Sequence, residues 1–416
     1  MKSWPTTYLP PLNSSFNLPD LQLQATRGSN QISTSAGEKF SMYVCGITPY
    51  DATHLGHAAT YLTFDLINRY LQARGAAVDF VENITDIDEP LLERATRDQV
   101  DWKELANSQV DLYKADMTAL HILPPKDFVP VTEVMTIVES AISKLVTGGF
   151  TYEIERDLYF DASSFLAELP ISIEAALSIF AERGGDPTRP GKRHPLDPIL
   201  WVANKPGEPG WESVHGYGRP GWHIECSVIA LRYLMGEDFL LANDVEPEIS
   251  CISLQGGGSD LIFPHHFMSA AQAQALTGRP FAQTFLHAGM VGLDGEKMSK
   301  SKGNLVFVST LLAQGRDPMA IRHALLSSHY SSDRMWSESV LIESENRIAV
   351  IRSALSRESC SGAGELINEI IAAIADDLDT PRALAAIDSW AISVTEGTDS
   401  TGEVARALDL LLGLAL

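Results

Sequence analysis

The sequence predicts an α/β protein that has a parallel-sheet domain, a mostly helical insertion within it and a C-terminal helical domain. Between residues 40 and 84 a strand, a loop, a helix and a second strand follow one another, residues 101–180 read as mostly helical, and from about residue 310 a helical pattern continues to the end. At 416 residues the chain is too long for one ordinary core, so more than one domain is expected. The predicted division is an irregular lead-in at 1–38, a sheet domain at 39–305 with the insertion at about 101–195, and a helical domain at 306–416.

The first strand is predicted at residues 40–45 (FSMYVC), a short run rich in β-forming residues. After it, apolar residues recur at the spacing of one helix face, at Leu62, Leu66 and Tyr70. Gly75 is expected to end that helix, and residues 78–84 (VDFVENI) read as a second strand. This order is a βαβ unit, so we expect a parallel, Rossmann-like sheet with a right-handed crossover.

The charge of the chain argues against a nucleic-acid partner. The formal net charge is −23, and residues 306–416 hold eight arginines, no lysine and sixteen Asp or Glu residues. Proteins that bind nucleic acids need basic patches for the phosphates. The start shows no signal peptide and no apolar run is long enough to span a bilayer, so the expected location is the cytoplasm, without a membrane partner.

The four cysteines lie far apart in the sequence and form no CxxC pair. In a reducing compartment such thiols are free or bind metals. Cys251 and Cys360 are interpreted as buried apolar thiols, whereas Cys45 and Cys226 lie in the segments discussed next.

The segment His54-Leu55-Gly56-His57 lies where the first loop becomes a helix. The N-terminus of a helix that follows the first strand of such a sheet is a natural phosphate site. The glycine lets a ligand approach the backbone, and the two imidazoles are donors for phosphate oxygens in a transition state. Taken alone, the motif could equally be a pair of loop histidines.

A second cationic segment, Lys-Met-Ser-Lys-Ser, occupies residues 297–301. Lys297 and Lys300 in a loop flanked by glycines could close on a pyrophosphate leaving group, although a solvated run of charges is the alternative. On a βαβ scaffold, the ordered pair of motifs resembles the class I aminoacyl-tRNA synthetases. The resemblance implies attack of an amino acid's carboxylate on the α-phosphate of ATP, with Mg²⁺ accompanying the ATP.

Four segments identify the branch within that class. YVCGIT, GRPGWHIECS, GGGSDLIFPHH and KMSKS, in this order, resemble cysteinyl-tRNA synthetase, in which zinc lies in the amino-acid pocket. The resemblance implies that Cys45, Cys226 and His265 bind one Zn²⁺. Zinc prefers sulfur and nitrogen ligands, and a catalytic-type site keeps one position open. The thiolate of a cysteine substrate can fill that position, and serine offers no comparable soft ligand.

Several positions depart from the synthetase. Where that enzyme has His-His-Glu-Asn-Glu, residues 265–269 read HHFMS, so Ser269 replaces a glutamate ligand and Phe267 replaces an acidic residue. Gln255 stands where a histidine is usual, and the sequence given ends after its helical region, where the synthetase continues into an anticodon-binding portion. Apart from Phe267, which stands where both enzymes favour an acidic residue, these features and the ERGGDP segment at 182–187 are similar to the cysteine:glucosaminylinositol ligases of mycothiol biosynthesis.

That resemblance implies an ATP-dependent, AMP-forming carbon–nitrogen ligase. It would activate L-cysteine as cysteinyl-adenylate, release pyrophosphate, transfer the cysteine to the amine of glucosaminyl-inositol, and act as a monomer. His54, His57, Lys297 and Lys300 would stabilise the reacting phosphates. The nucleotide and the cysteinyl-adenylate would be bound along Cys45, Gly46, Ile47, Thr48, Thr60, Asn83, Ile84, Thr85, Trp222, Gly258, Ser259, Asp260 and Val291.

The sequence is also compatible with two other functions. A cysteinyl-tRNA synthetase without an anticodon-binding domain is the second hypothesis, and a non-catalytic zinc- or adenylate-binding paralogue is the third, disfavoured by the intact motifs. Asp260 and the Asp86/Asp88 pair are candidates for a general base, and no residue pattern indicates the sugar site. Residues 236–255 look like an insertion, which we expect to loop out from the zinc ligands.

Overall fold

The computed structural model of the chain describes residues 1–205, 207–241, 249–293, 295–298 and 303–416. In chain order the strands are β1 Leu21–Gln22, β2 Arg27–Gly28, β3 Gln31–Ile32, β4 Lys39–Ile47, β5 Ala77–Ile84, β6 Asp127–Pro130, β7 Thr151–Ile154, β8 Asp157–Phe160, β9 Ile199–Ala203, β10 Gly218–Pro220, β11 Ile252–Gly258, β12 Ala282–Ala288, β13 Val291–Leu293, β14 Glu296–Lys297 and β15 Arg334–Trp336.

The helices, again in chain order, are α1 Leu55–Ala73, α2 Glu89–Asp98, α3 Trp102–Ala119, α4 Met135–Thr147, α5 Ile173–Glu182, α6 Trp222–Leu234, α7 Glu237–Leu241, α8 Phe267–Thr277, α9 Val308–Ala313, α10 Pro318–Leu326, α11 Glu338–Leu355, α12 Ala363–Ala375, α13 Thr380–Ser393 and α14 Thr401–Leu412. None of the described helices combines the length and apolar character that a bilayer crossing requires.

The main sheet confirms the predicted βαβ unit. Its strand order in the described residues is β2-β12-β11-β4-β5-β6, with β12, β11, β4, β5 and β6 parallel and β2 antiparallel at one edge. The predicted strands at 40–45 and 78–84 lie within β4 and β5, and α1 connects them. The α/β fold class predicted from the sequence is therefore correct.

Strand β4 separates two hydrophobic clusters because its side chains alternate between the faces of the sheet. Met42 and Val44 pack into the cluster that contains α1 and the C-terminal helices. Tyr43 and Cys45 pack into the cluster that contains α6, α8 and the insertion. The alternation therefore turns the Cys45 thiol toward α6 and α8.

The predicted insertion at about 101–195 holds the strands β6, β7 and β8, which its mostly helical pattern did not indicate, and β9 and β10 follow it. Strand β6 joins the edge of the main sheet, and β10-β9-β8-β7 form a separate antiparallel sheet. These strands have three to five residues each, too few for a strand period to stand out beside the longer helices α3 and α4. The predicted domain boundaries remain a prediction.

A buried ionic cluster joins α1 to the C-terminal helices. Asp65 on α1 accepts hydrogen bonds from Arg69 Nε (2.8 Å), from the Arg322 guanidinium and from the Leu123 amide (2.8 Å). Arg322 on α10 also donates to the Leu412 carbonyl (2.7 Å) at the end of α14. The charged side chains of Asp65, Arg69 and Arg322 are fully buried. The cluster thus fixes the helix that follows the His54–His57 motif against α10 and α14.

Candidate active site

The carboxyl ends of β4 and β5 are tied together by one amide side chain. Asn83 Oδ1 accepts hydrogen bonds from the Gly46 amide (2.8 Å) and the Tyr43 hydroxyl (2.9 Å), and Asn83 Nδ2 donates to Thr85 Oγ1 (3.1 Å). A Cβ at Gly46 would lie 1.7 Å from the Asn83 carbonyl oxygen, so only glycine fits here. Asn83 is buried and shapes the loop after Cys45.

The structure brings Cys45, Cys226 and His265 together. One ligand atom from each lies within 4.8 Å of the others, and all three residues are buried. Cys45 comes from β4, Cys226 from the second turn of α6, and His265 from the turn before α8. Three separate elements therefore converge on one point, and their role as metal ligands stays a prediction.

The hydrogen bonding of His265 leaves one ring nitrogen available. Its Nδ1 lies 2.9 Å from His223 Nδ1, so one of the two nitrogens donates. The Nε2 of His265 is buried and has no hydrogen-bond partner among the described residues. When His265 donates from Nδ1, its Nε2 holds a lone pair, as a metal ligand requires. Trp222 stacks on the ring with the centroids 4.0 Å apart.

A chain of side chains extends from the Cys45 thiol. Cys45 Sγ lies 3.2 Å from His266 Nε2, His266 Nδ1 lies 2.7 Å from His287 Nε2, and His287 Nδ1 lies 2.6 Å from Thr26 Oγ1. The Thr26 hydroxyl is also 3.0 Å from the Phe285 carbonyl. The Thr26 hydroxyl has a single proton, so the chain has two consistent directions. Either Thr26 donates to the Phe285 carbonyl and accepts from His287, or Thr26 donates to His287 Nδ1. In one direction Cys45 donates as a thiol, and in the other it accepts as a thiolate.

The positions that depart from the synthetase are now explained in part. Ser269 Oγ donates to the His223 carbonyl (3.1 Å), so this hydroxyl braces α8 against α6. Phe267 is buried in the same apolar cluster as Cys45. Gln255 is fully buried on β11. The predicted insertion at 236–255 begins with α7 and ends in β11, residues 242–248 lie outside the described residues, and the three ligand atoms still converge.

His54 and His57 form the N-terminus of α1. His54 caps the helix, its Nδ1 accepting from the Gly56 amide (3.1 Å), and the two imidazoles stack with their centroids 3.8 Å apart. Burial lowers the pKa of His57 to about 4, so this ring is neutral at pH 7. It can donate to a phosphate only through a neutral N–H. A donor held in place in this way stabilises the charge that develops on the phosphate in a transition state, because it does not have to reorient.

The second cationic motif is described only in part. Lys297 ends β14, whose backbone pairs with β13 at Gly292. Lys300 lies outside the described residues. The predicted roles of both lysines therefore stay predictions.

The other predicted residues fall into two groups around the ends of the strands. A Cβ at Gly258 would lie 3.7 Å from Thr60 Oγ1, which places the end of β11 beside α1. Ile47, Ile84, Thr85 and Val291 are buried, and Ser259 follows β11 directly. Thr48, Trp222 and Asp260 line a cavity of about 750 Å³.

Three positioning histidines were missing from the sequence prediction. His223 orients His265, His266 contacts Cys45, and His287 supports His266. His223 and His266 lie in the WHIEC and FPHH segments discussed above, but nothing in those segments indicated a separate role for them. A Cβ at Gly257 would lie 2.8 Å from the His266 ring, so the glycine run makes room for that ring.

Known proteins match the chain over its length. A family model of the tRNA synthetases class I (C) catalytic domain matches residues 31–346. A protein of Streptomyces griseus subsp. griseus named L-cysteine:1D-myo-inositol 2-amino-2-deoxy-alpha-D-glucopyranoside ligase is 49% identical over 426 residues, and one of the same name from Gordonia bronchialis is 48% identical over 428 residues. Each comparison covers 100% of this chain and 100% of the relative.

Solved structures share the fold at low sequence identity. Mycobacterium tuberculosis methionyl-tRNA synthetase in complex with methionyl-adenylate has a TM-score of 0.60 at 16% identity, covering 91% of this chain and 89% of that one. A ternary LeuRS–tRNA–LeuAMS complex of Agrobacterium radiobacter K84 has a TM-score of 0.64 at 13% identity, covering 92% and 84%. The chain therefore belongs to the family of L-cysteine:1D-myo-inositol 2-amino-2-deoxy-alpha-D-glucopyranoside ligases, enzymes built on the class I tRNA synthetase catalytic domain.

Proposed function

We propose that the protein joins L-cysteine to the amine of glucosaminyl-inositol at the expense of ATP, releasing AMP and pyrophosphate, as a step of mycothiol biosynthesis. The observation that supports this most directly is the convergence of Cys45, Cys226 and His265 at the carboxyl ends of the parallel strands. Two thiols and an imidazole suit a site that selects a cysteine substrate. The full-length relatives named as cysteine ligases support the same reaction.

The three residues fit one Zn²⁺. The S, S, N donor set is one that zinc prefers, and His265 Nε2 is buried without a partner among the described residues. Burial raises the pKa of the Cys226 thiol well above its usual range, and Cys45 adds to the shift. A thiolate here therefore needs a cation beside it. Bound zinc would supply a soft Lewis acid for the substrate's sulfur, beside the Trp222 ring.

In the first step the cysteine carboxylate oxygen attacks the α-phosphorus of ATP, and the bond to the pyrophosphate oxygen breaks. The N-terminus of α1 suits an anion, and His54 and His57 would donate to the phosphate oxygens there. Lys297 and Lys300 would neutralise the leaving pyrophosphate, and Mg²⁺ would accompany ATP.

In the second step the acceptor amine attacks the activated carbonyl carbon. The carbon–oxygen bond to AMP breaks, an amide forms and one proton is released. Asp260 and Asp88 both line the cavity next to Trp222, which supports either carboxylate as the acceptor of that proton. We further propose that the enzyme acts as a monomer in the cytoplasm, where its four unpaired thiols suit reducing conditions.

An acceptor test decides between the candidate functions. Purified protein with zinc, ATP and cysteine is offered glucosaminyl-inositol or tRNA, while AMP release and product mass are followed. We expect amide formation with the sugar and no aminoacylated RNA. Aminoacylated RNA would make the chain a cysteinyl-tRNA synthetase. A lack of product with both, without cysteine-dependent exchange of pyrophosphate into ATP, would leave a binding paralogue.

The chain that supports Cys45 gives a further prediction. Replacing His266 by phenylalanine removes the N–H that can donate to the Cys45 thiolate. Loss of such a partner behind a ligand typically weakens metal affinity by about 10–100-fold, and we expect a change of this size in competition titrations with a chelator. His323→Phe, a buried histidine on α10, is the matched control and should leave zinc affinity unchanged. Equal affinities in both variants would refute a role for the chain.

A further inference from the structure

A cavity lies next to Trp222, at one end of α6. Its volume is about 750 Å³, within the range of about 300–1,000 Å³ for small-molecule sites. It lies between the start of α2, the loop after α5 and the strands β8–β10, and it reaches Thr48, Trp222 and Asp260. Neither His54 nor His57 is among its described lining residues. The cavity therefore adjoins the proposed adenylate site at Thr48, Trp222 and Asp260.

The cations in its wall already have partners. Arg219 and Lys205 both pair with Glu89, at 3.2 and 3.1 Å. Arg189 pairs with Asp157. Lys192 Nζ donates to the carbonyls of Asp186 and Pro195, each at 2.9 Å. These ion pairs and hydrogen bonds within the wall thus occupy most of its positively charged groups.

Five carboxylates of the lining have no ion-pair partner within the described part of the chain: Asp88, Glu93, Glu182, Asp186 and Asp197. Asp197 accepts hydrogen bonds from Tyr152, Ala162 and His194, and Glu182 accepts one from the Ser178 hydroxyl of its own helix. Asp88 Oδ1 accepts from the Glu89 amide (2.8 Å), as the cap of α2. Asp186 Oδ1 accepts only a long bond, 3.4 Å, from the Thr188 hydroxyl. Burial raises the pKa of Asp88, and the backbone N–H of Glu89 and the charge of Arg219 offset this only in part. A cation beside it would offset that cost.

The remaining wall offers donors for hydroxyl groups. Arg219 is only 6% exposed, and its Nε is buried without a hydrogen-bond partner among the described residues. The cavity therefore combines more carboxylates than cations, the N–H groups of Arg219 and the aromatic ring of Trp222. Such a lining suits a polyol with an ammonium group. It repels phosphates, because like charges in a partly buried site are unfavourable, so the end of a tRNA is a poor occupant.

We propose that this cavity is the acceptor site, which binds an amine-bearing sugar–polyol, with Asp88 holding the amine and Glu93 and Asp186 holding hydroxyls. The assignment of the amine to Asp88 follows from its position. Asp88 lines the cavity together with Thr48, which follows Cys45 closely in the chain, and Trp222, which lies one turn before Cys226 on α6. Residues 182–186, from the end of α5 and the loop after it, also line the cavity. This inference rests on the proposed function.

The test uses the full-length enzyme with zinc and the double variant Glu93→Gln/Asp186→Asn. The amides keep the size of the side chains and remove their charge. We measure the KM for glucosaminyl-inositol from AMP release, and cysteine-dependent pyrophosphate exchange without acceptor. The variant loses charge-assisted hydrogen bonds to the acceptor. We therefore expect the ratio of kcat/KM for the acceptor to the pyrophosphate-exchange rate to fall at least about tenfold, because KM for the acceptor rises. Glu358→Gln, an exposed carboxylate between α11 and α12, is the control.

Asp88→Asn provides the second variant. Asparagine caps helices as well as aspartate does, so α2 is preserved while the charge is lost, and the same ratio should fall at least about tenfold. An unchanged ratio in both variants, with a wild-type enzyme that exchanges pyrophosphate and forms the amide, would overturn the acceptor site but leave the proposed function standing. A wild-type enzyme without either activity would instead overturn the proposed function.

Discussion

Replacing Cys226 by serine is expected to remove bound zinc and to lower cysteine-dependent pyrophosphate exchange by at least about 100-fold. Loss of a partner behind a metal ligand already costs about 10–100-fold, and the ligand itself contributes more. Serine has nearly the same shape, but its hydroxyl is a poor zinc ligand. The loss of zinc and of exchange therefore measures the contribution of the sulfur ligand and not a change in the packing of α6. Elemental analysis of the purified variant and the exchange assay measure the two parts.

Cys251→Ser is the matched control for this variant. Cys251 is also buried, but its sulfur lies 3.6 Å from Thr277 Oγ1 and outside the group formed by Cys45, Cys226 and His265. It should retain about one zinc per chain and full exchange. If the Cys226 variant exchanged pyrophosphate at the wild-type rate without zinc, selection of cysteine would have to depend on other residues.

Replacing Arg322 by methionine is expected to lower the free energy of unfolding by about 3–5 kcal/mol, because it leaves Asp65 buried without one of its two cationic partners. Burial lowers the pKa of Arg322 to about 10, so the side chain is charged at neutral pH. The substitution also removes the hydrogen bond to the Leu412 carbonyl. Urea unfolding followed by circular dichroism measures the change.

An exposed ion pair gives the comparison for Arg322. Arg382 pairs with Glu369 at 2.7 Å, with about two fifths of each side chain exposed. Such pairs contribute at most about 1 kcal/mol, so Arg382→Met should be close to the wild type. Equal losses of unfolding free energy in the two variants would mean that the buried pair of Arg322 contributes no more to stability than an exposed pair.

The parts of the fold that were predictable depend on local pattern. The β-rich run before Cys45, the helix face at Leu62, Leu66 and Tyr70, and the strand before Thr85 each show their period within one segment. The antiparallel sheet that begins in the insertion was not predicted, since its strands are too short to show a period.

The candidate site was predictable only where a resemblance named its residues. Cys45, Cys226 and His265 come together because β4, α6 and the turn before α8 pack on one face of the sheet, which spacing alone does not reveal. The contact between His266 and His287 depends on the parallel register that sets Gly257 opposite His287. The proposed acceptor cavity is lined by six segments that are distant in sequence, around residues 48, 88–93, 157–159, 180–205, 219–223 and 260–264, so no single motif could indicate it.

The buried cluster of Asp65, Arg69 and Arg322 bears on how such a chain can change over evolution. Two of its charges belong to the helix that follows the His54–His57 motif, and the third belongs to the C-terminal helices. A recombination that exchanged only the helical part near residue 306 would pair unmatched charges in a dry interior. An exchange near this predicted boundary therefore keeps the cluster only if the incoming helical part supplies an arginine at the position of Arg322.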